Sequence, residues 1–198
     1  RGGRQRPVLE FGLPQVDAEL PMHGLPFGAV HELSGPGALR FGLLLLARLE
    51  APLLWCRPRQ DSLQPYGPAL AQAGLASEHL LFAFAERQQD LLWAMEESLR
   101  AGAVAAVLSE PRESVNLTVS RRLQLAAETG GTIGLVVDCR PGRQHGPLAP
   151  SALYSRWRVT PVPTATDEHA AWQLELLRCR GGASGHWRIT TGETHGMP

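Results

Sequence analysis

The chain contains no lysine. Any chemistry that depends on a flexible ammonium, such as a phosphate-loop lysine or a Schiff base, is therefore excluded. The arginines balance the acids to a formal net charge of +0. That excludes bulk electrostatic attraction to nucleic acid and leaves room only for a local arginine patch. Cysteine is scarce: Cys56, Cys139 and Cys179 are widely spaced and form no CxxC pair. They read as reduced structural thiols in a cytoplasm, not as a disulfide framework. The histidines are scattered without metal-ligand spacing, and no metal or other cofactor is expected. No apolar run is long enough to span a bilayer and no signal-peptide pattern is present, so a soluble protein without membrane contact is expected. The first residue is Arg1, not methionine, and the native start is expected to lie upstream.

What is present suffices for one domain. A chain of 198 residues buries roughly 70% of the surface its unfolded form exposes. Its organising stretch covers residues 25–49, LPFGAVHELSGPGALRFGLLLLARL. This reads as a turn, a buried strand over 29–33, a glycine-rich loop, and an apolar helix from Ala38. Strand, glycine loop and helix form the setting of a phosphate-binding loop, where backbone N–H groups and a helix N-terminus hold an anion. The working residues are missing. The pattern GxxxxGK followed by Ser or Thr, counted from Gly35, puts Arg40 at the second glycine, Phe41 at the lysine and Gly42 at the hydroxyl. Phe41 brings no charge to a phosphate and Gly42 no oxygen to a metal. Gly35, Gly37, Arg40, Phe41 and Gly42 are thus a degenerate remnant. Gly35 and Gly37 are expected to serve chain geometry, with a positive φ as the reason for glycine at position 37.

The rest of the chain alternates. Residues 53–56, 80–84, 104–108 and 132–137 read as strands, and 69–73, 88–101 and 115–129 as helices, with Gly74, Gly102 and Gly130-Gly131 as stops. In the last helix Leu117, Leu123 and Leu125 are expected inside and Arg121 and Arg122 outside. That alternation is the pattern of an α/β fold with a mostly parallel sheet. Beyond Asp138 the rhythm changes. A loop, CRPGRQHGPLAP, is followed by three strand-like runs over 154–160, 172–178 and 186–190, the last two joined by a glycine hairpin. Trp157, Trp172, Leu174 and Leu176 are expected in the core.

Several segments resemble the RecA-like recombinase core and, within it, the ImuA-type accessory proteins of inducible translesion DNA synthesis. LPFGAVHELSGPG is similar to the family's approach to its nucleotide loop. AGAVAAVLSEP resembles the strand bearing the metal-side acid, with Glu110 near that position. TGGTIGLVVDCRPGRQHG resembles the strand leading into a DNA-contacting loop, and WQLELLRCRGGASGHWRI the late core hairpin. The resemblance implies a RecA-like core over residues 20–190, with a flexible N-terminal segment over 1–19 and a C-terminal tail over 191–198. Phe11 and Leu13 would anchor the N-terminal segment to a groove. It also implies a DNA-contacting loop at Arg140, Arg143 and His145, and a subunit or partner interface at Arg178 and Arg180, with Phe11 as the alternative. Where a recombinase carries the acid that prepares its attacking water, this chain reads WCRPRQDSLQPYG, with Arg57 and Arg59.

Without lysine, hydroxyl or water-positioning acid, little remains to supply phosphoryl transfer, which is mostly positioning and charge neutralisation. The expectation is a non-catalytic scaffold. The partners implied are an ImuB-type Y-family-like polymerase homologue, an error-prone replicative-type polymerase, and RecA, with at most weak DNA contact and homo-oligomerisation left open. Two other classes stay open, a SulA-type cell-division inhibitor and a DNA-dependent ATPase with an unusual nucleotide site.

Overall fold

The computed structural model describes residues 6–59, 65–140, 149–163 and 171–190. In chain order the elements are β1 (Val8–Leu9), α1 (Pro14–Asp17), β2 (Leu25–Pro26), β3 (Ala29–Ser34), α2 (Ala38–Ala47), β4 (Leu53–Pro58), α3 (Gly67–Gln72), β5 (Leu80–Ala85), α4 (Gln88–Ala101), β6 (Ala106–Ser109), α5 (Leu117–Gly130), β7 (Ile133–Asp138), β8 (Ser155–Val162), β9 (Ala171–Cys179) and β10 (Gly185–Thr190). β1 and β2 form a small antiparallel pair, and the others form one sheet in the order β10-β9-β8-β3-β7-β6-β4-β5. The six strands from β8 to β5 run parallel, and β9 and β10 are added antiparallel at one end. This is the expected architecture, a mostly parallel sheet flanked by helices.

Burial follows from the strand sequences. β6 (AVLS) and β7 (IGLVVD) are buried at every residue, as strands covered on both faces must be. Alternate side chains feed two cores. α2 packs over Leu33, Leu108, Leu135, Val137 and Trp157 on one face. α4 and α5 pack over Val30, Cys56, Val107 and Val136 on the other. Asn116 caps α5 by accepting the Val119 N–H at 2.9 Å. Gly130 lets α5 approach α4 so closely that a Cβ there would lie 1.9 Å from the Leu99 carbonyl oxygen.

Phe11 and Leu13, expected to anchor the N-terminal segment, are fully buried with Val16 in the α2 core; two other expectations, at Leu125 and at the end of β4, need correction. The Asp17 carboxylate holds their turn by accepting the N–H groups of Phe11, Gly12 and Leu13 at 2.9, 3.0 and 3.2 Å. Leu125 points to solvent, while Leu123, Ala126 and Ala127 point inward; residues two apart on a helix lie about 200° around it, so 123 and 125 cannot share a face. β4 runs past the strand expected over 53–56 to include Arg57 and Pro58, because both continue the ladder with β5.

Candidate functional site

The loop after β3 lies at the C-terminal edge of the parallel strands, where open α/β sheets place their ligands. Its backbone donors are already used. The Gly35 N–H donates to the Asp138 carbonyl at 3.0 Å and the Gly37 N–H to the Val159 carbonyl at 3.0 Å. Those of Ala38 and Phe41 donate to the carbonyls of Gly35 and Gly37 at 3.1 and 3.0 Å. Gly35 has φ +99°, and a Cβ there would meet the Val159 carbonyl oxygen at 2.7 Å. Gly37 is required for a different reason from the one expected. Its φ is −92°, and its Cβ would meet the Trp172 Cδ1 at 2.9 Å. The loop is pressed against β8 and β9, and these N–H groups form no anion cradle.

Two of the three positions that would carry the chemistry are likewise filled. Phe41 is fully buried, with ring centroids 6.0 Å from Phe11 and 5.9 Å from Trp172. Gly42 faces Leu33, whose Cδ1 would lie 3.0 Å from an added Cβ. Arg40 is exposed, with its guanidinium 5.9 Å from the centre of the Trp172 ring.

The acids at the strand ends are held by guanidiniums. Glu110 Oε1 accepts from Trp55 Nε1 and from Arg57 Nε, both at 2.7 Å, and Arg57 also lies over the Trp55 ring at 5.0 Å. Asp138 accepts from Arg140 Nε at 2.8 Å and Nη2 at 2.6 Å, and Arg140 Nη2 also reaches Ser114 Oγ at 3.2 Å. Arg140 is thus tied back to its own strand. Arg143 and His145 lie outside the described residues. Among the described residues no three His, Cys, Asp or Glu side chains are grouped to hold a metal ion.

Of the interface candidates, Phe11 is withdrawn: it is core, 5.0 Å from the Trp157 ring centre, and a fully buried ring has no surface to offer a partner. Arg178 and Arg180 are exposed but already make internal contacts. Arg178 donates to the Ser151 carbonyl, and Arg180 lies 5.7 Å from the Tyr154 ring centre and 3.6 Å from Glu128. A register shift pairs Arg178 with Arg156 but Leu176 with Trp157. It turns Arg178 onto the opposite face from Leu176, which strict alternation would not allow.

Two groups of polar side chains are held largely within the fold. Glu32 and Arg156, paired residues on β3 and β8, form a two-pronged ion pair at 2.9 Å in both arms, and Arg156 Nη1 also donates to the Ala149 carbonyl at 2.7 Å. His31 is fully buried. Its Nε2 donates to the Pro26 carbonyl at 3.3 Å and its Nδ1 accepts from Ser155 Oγ at 2.7 Å. Ser155 Oγ in turn accepts from Trp157 Nε1 at 2.7 Å. The Pro26 carbonyl can only accept, so it sets this tautomer. Burial pulls the His31 pKa down from 6.5 to about 4, against a smaller opposing effect of the Pro26 carbonyl. The available signal was a charged or titratable residue inside an otherwise apolar strand, in AVHELS and in SRWRV.

No family model matches the chain. It is 35% identical over 214 aligned positions to Protein ImuA of Caulobacter vibrioides, in strain NA1000 / CB15N and equally in strain ATCC 19089 / CIP 103742 / CB 15; each alignment covers 96% of this chain and 86% of the relative. Among solved structures it is similar to the RadB recombinase, with a TM-score of 0.65 at 14% identity over 91% of this chain and 96% of that one. That likeness shows a RecA-like fold.

Proposed function

The chain belongs to the ImuA family, and we propose that it is a non-catalytic accessory protein of inducible translesion DNA synthesis, a scaffold for the error-prone polymerases. The observation that carries this reading is the closed loop. Gly35 and Gly37 spend their N–H groups on Asp138 and Val159, and the lysine position is a buried phenyl ring. Phosphoryl transfer needs free donors around the phosphates and an acid free for a metal, and here Glu110 is held by Arg57. A role in protein contacts is further supported by β5, an edge strand on which Leu81, Phe82 and Phe84 are exposed. Natural edges are normally blunted or covered, and an apolar one invites a partner.

The partners proposed are an ImuB-type Y-family-like polymerase homologue, an error-prone replicative-type polymerase and RecA, with DNA contact through Arg140 at most weak. Arg178 and Arg180 are proposed as a contact patch, since an exposed pair such as Arg180–Glu128 contributes only about 0–1 kcal/mol to stability. The test has two arms. Titration with Mg-ATP is expected to release neither heat nor phosphate, and micromolar binding with turnover would replace the scaffold reading with an ATPase. Pull-down against the polymerase homologue is expected to succeed, and to weaken in Arg178→Ala with Arg180→Ala at an unchanged melting temperature. Capture of the division tubulin in its place would favour the SulA-type reading.

A further inference from the structure

One surface beside the loop is unaccounted for. Between α2 and α3 lies a groove of about 440 Å³, within the range of pockets that hold small ligands or peptide side chains. Leu39, Leu43, Leu70 and Ala73 line it, with Arg40 and Tyr66 beside them. Its α3 wall is poorly packed: none of the residues of α3 is buried, and Tyr66 at its N-terminus is 70% exposed. The groove therefore presents apolar side chains that nothing among the described residues covers fully.

Its electrostatics identify what would cover it. Arg40 is the only charged residue among the described residues that line the groove. Arg57, Arg87, Arg100, Arg122, Arg140, Arg156, Arg158 and Arg180 all meet a carboxylate. Arg40, among the described residues, has only the face of Trp172. An apolar groove with one unneutralised guanidinium complements an apolar ligand with one anionic group. A polyphosphate is a poor fit, because the nearby loop N–H groups that would share its charge donate to Asp138 and Val159. A single carboxylate needs only the guanidinium fork.

We propose that the α2–α3 groove is a docking site for a partner peptide in which adjacent apolar residues are followed or preceded by an Asp or Glu, whose carboxylate pairs with Arg40. This deepens the scaffold reading and rests on it for the identity of the partner as a protein. The groove would capture the apolar side chains while Arg40 fixes their register. Binding would bury the exposed side of α3 and Tyr66, so the free and bound forms would differ there.

The probe is a phage-displayed library of random dodecapeptides, panned on the full chain and on two surface variants, Arg40→Glu and Ala69→Arg. Wild-type protein is expected to enrich peptides that join neighbouring apolar residues to Asp or Glu. Their affinity, measured with fluorescein-labelled copies, should fall about tenfold or more in Arg40→Glu, as loss of a charge-assisted fork implies, and should fall in Ala69→Arg because the longer side chain fills the apolar groove. Panned separately, Arg40→Glu should exchange the acidic preference for Lys or Arg. Melting temperatures check that both variants fold; if Ala69→Arg does not, the charge exchange at the exposed Arg40 still decides. Failure to enrich any peptide, or peptides that bind both variants undiminished, would overturn the proposal. So would displacement by micromolar Mg-ADP, which would make the groove a nucleotide pocket. If the polymerase homologue is held equally by wild type and both variants, the groove is wrong and the scaffold reading stands. If wild type selects acidic apolar peptides yet holds no polymerase partner, the groove stands and the scaffold reading fails.

Discussion

Restoring the missing lysine should damage the protein without restoring nucleotide binding. Phe41→Lys places an ammonium where a fully buried phenyl ring sits between Phe11 and Trp172. Removing a buried phenyl costs about 3–5 kcal/mol, before any penalty for desolvating the amine, which would deprotonate or force its way to solvent. Adding the hydroxyl with Gly42→Ser brings a Cβ to 3.0 Å from Leu33 Cδ1 and adds crowding. Typical domains are stable by only about 5–15 kcal/mol, so the loss is a large fraction of the whole. In a chain of 198 residues each kcal/mol lowers the melting temperature by about 2–4 °C, which predicts a drop of roughly 6–20 °C. Thermal melts of Phe41→Lys and the double variant, with Mg-ATP titrations at a temperature where both remain folded, make the test. A variant that melts within a degree or two of wild type and binds Mg-ATP would refute the reasoning, because it would show the loop to be a latent phosphate site.

Three further outcomes follow from buried groups. His31 is neutral when folded because burial lowers its pKa from 6.5 to about 4. Its contribution is therefore complete above the unfolded value and is lost as pH falls from 6.5 towards 4, a total of about 3 kcal/mol. The difference in urea midpoint between wild type and His31→Gln should narrow across that range; a constant difference would contradict the assignment. Arg156→Met strands Glu32 in a part-buried site and should cost about 3–5 kcal/mol, whereas Arg156→Met with Glu32→Leu should recover most of the loss. Chemical denaturation of the single and double variants measures this, and a double variant no better than the single would refute it. Gly35→Ala should cost more than Gly131→Ala. Both need positive φ, which costs about 1–2 kcal/mol for a side chain, but only at Gly35 does the Cβ also meet a backbone oxygen, at 2.7 Å. Equal urea midpoints would remove the close-contact argument.

The chain order of strands and helices was legible because its signals are local. The helix over 88–101 coincides with α4 (Gln88–Ala101), since apolar spacing and a stop glycine lie within one short window. The loss of the phosphate-loop residues was equally legible, being a matter of which residues occupy consecutive positions. What fills their place was not. Phe41 reads as a missing lysine, and only the fold brings Phe11 and Trp172 against it. LLFAFA reads as an apolar strand, but strand order alone makes β5 an edge with Phe82 and Phe84 in solvent. Arg178 belongs by period to the face of Leu176, and a register shift against β8 moves it away. Arg57 and Glu110, and His31 and Ser155, are separated by 53 and 124 residues. A side chain's neighbours along the chain restrict its backbone, but its charge state and exposure depend on what the sheet places beside it.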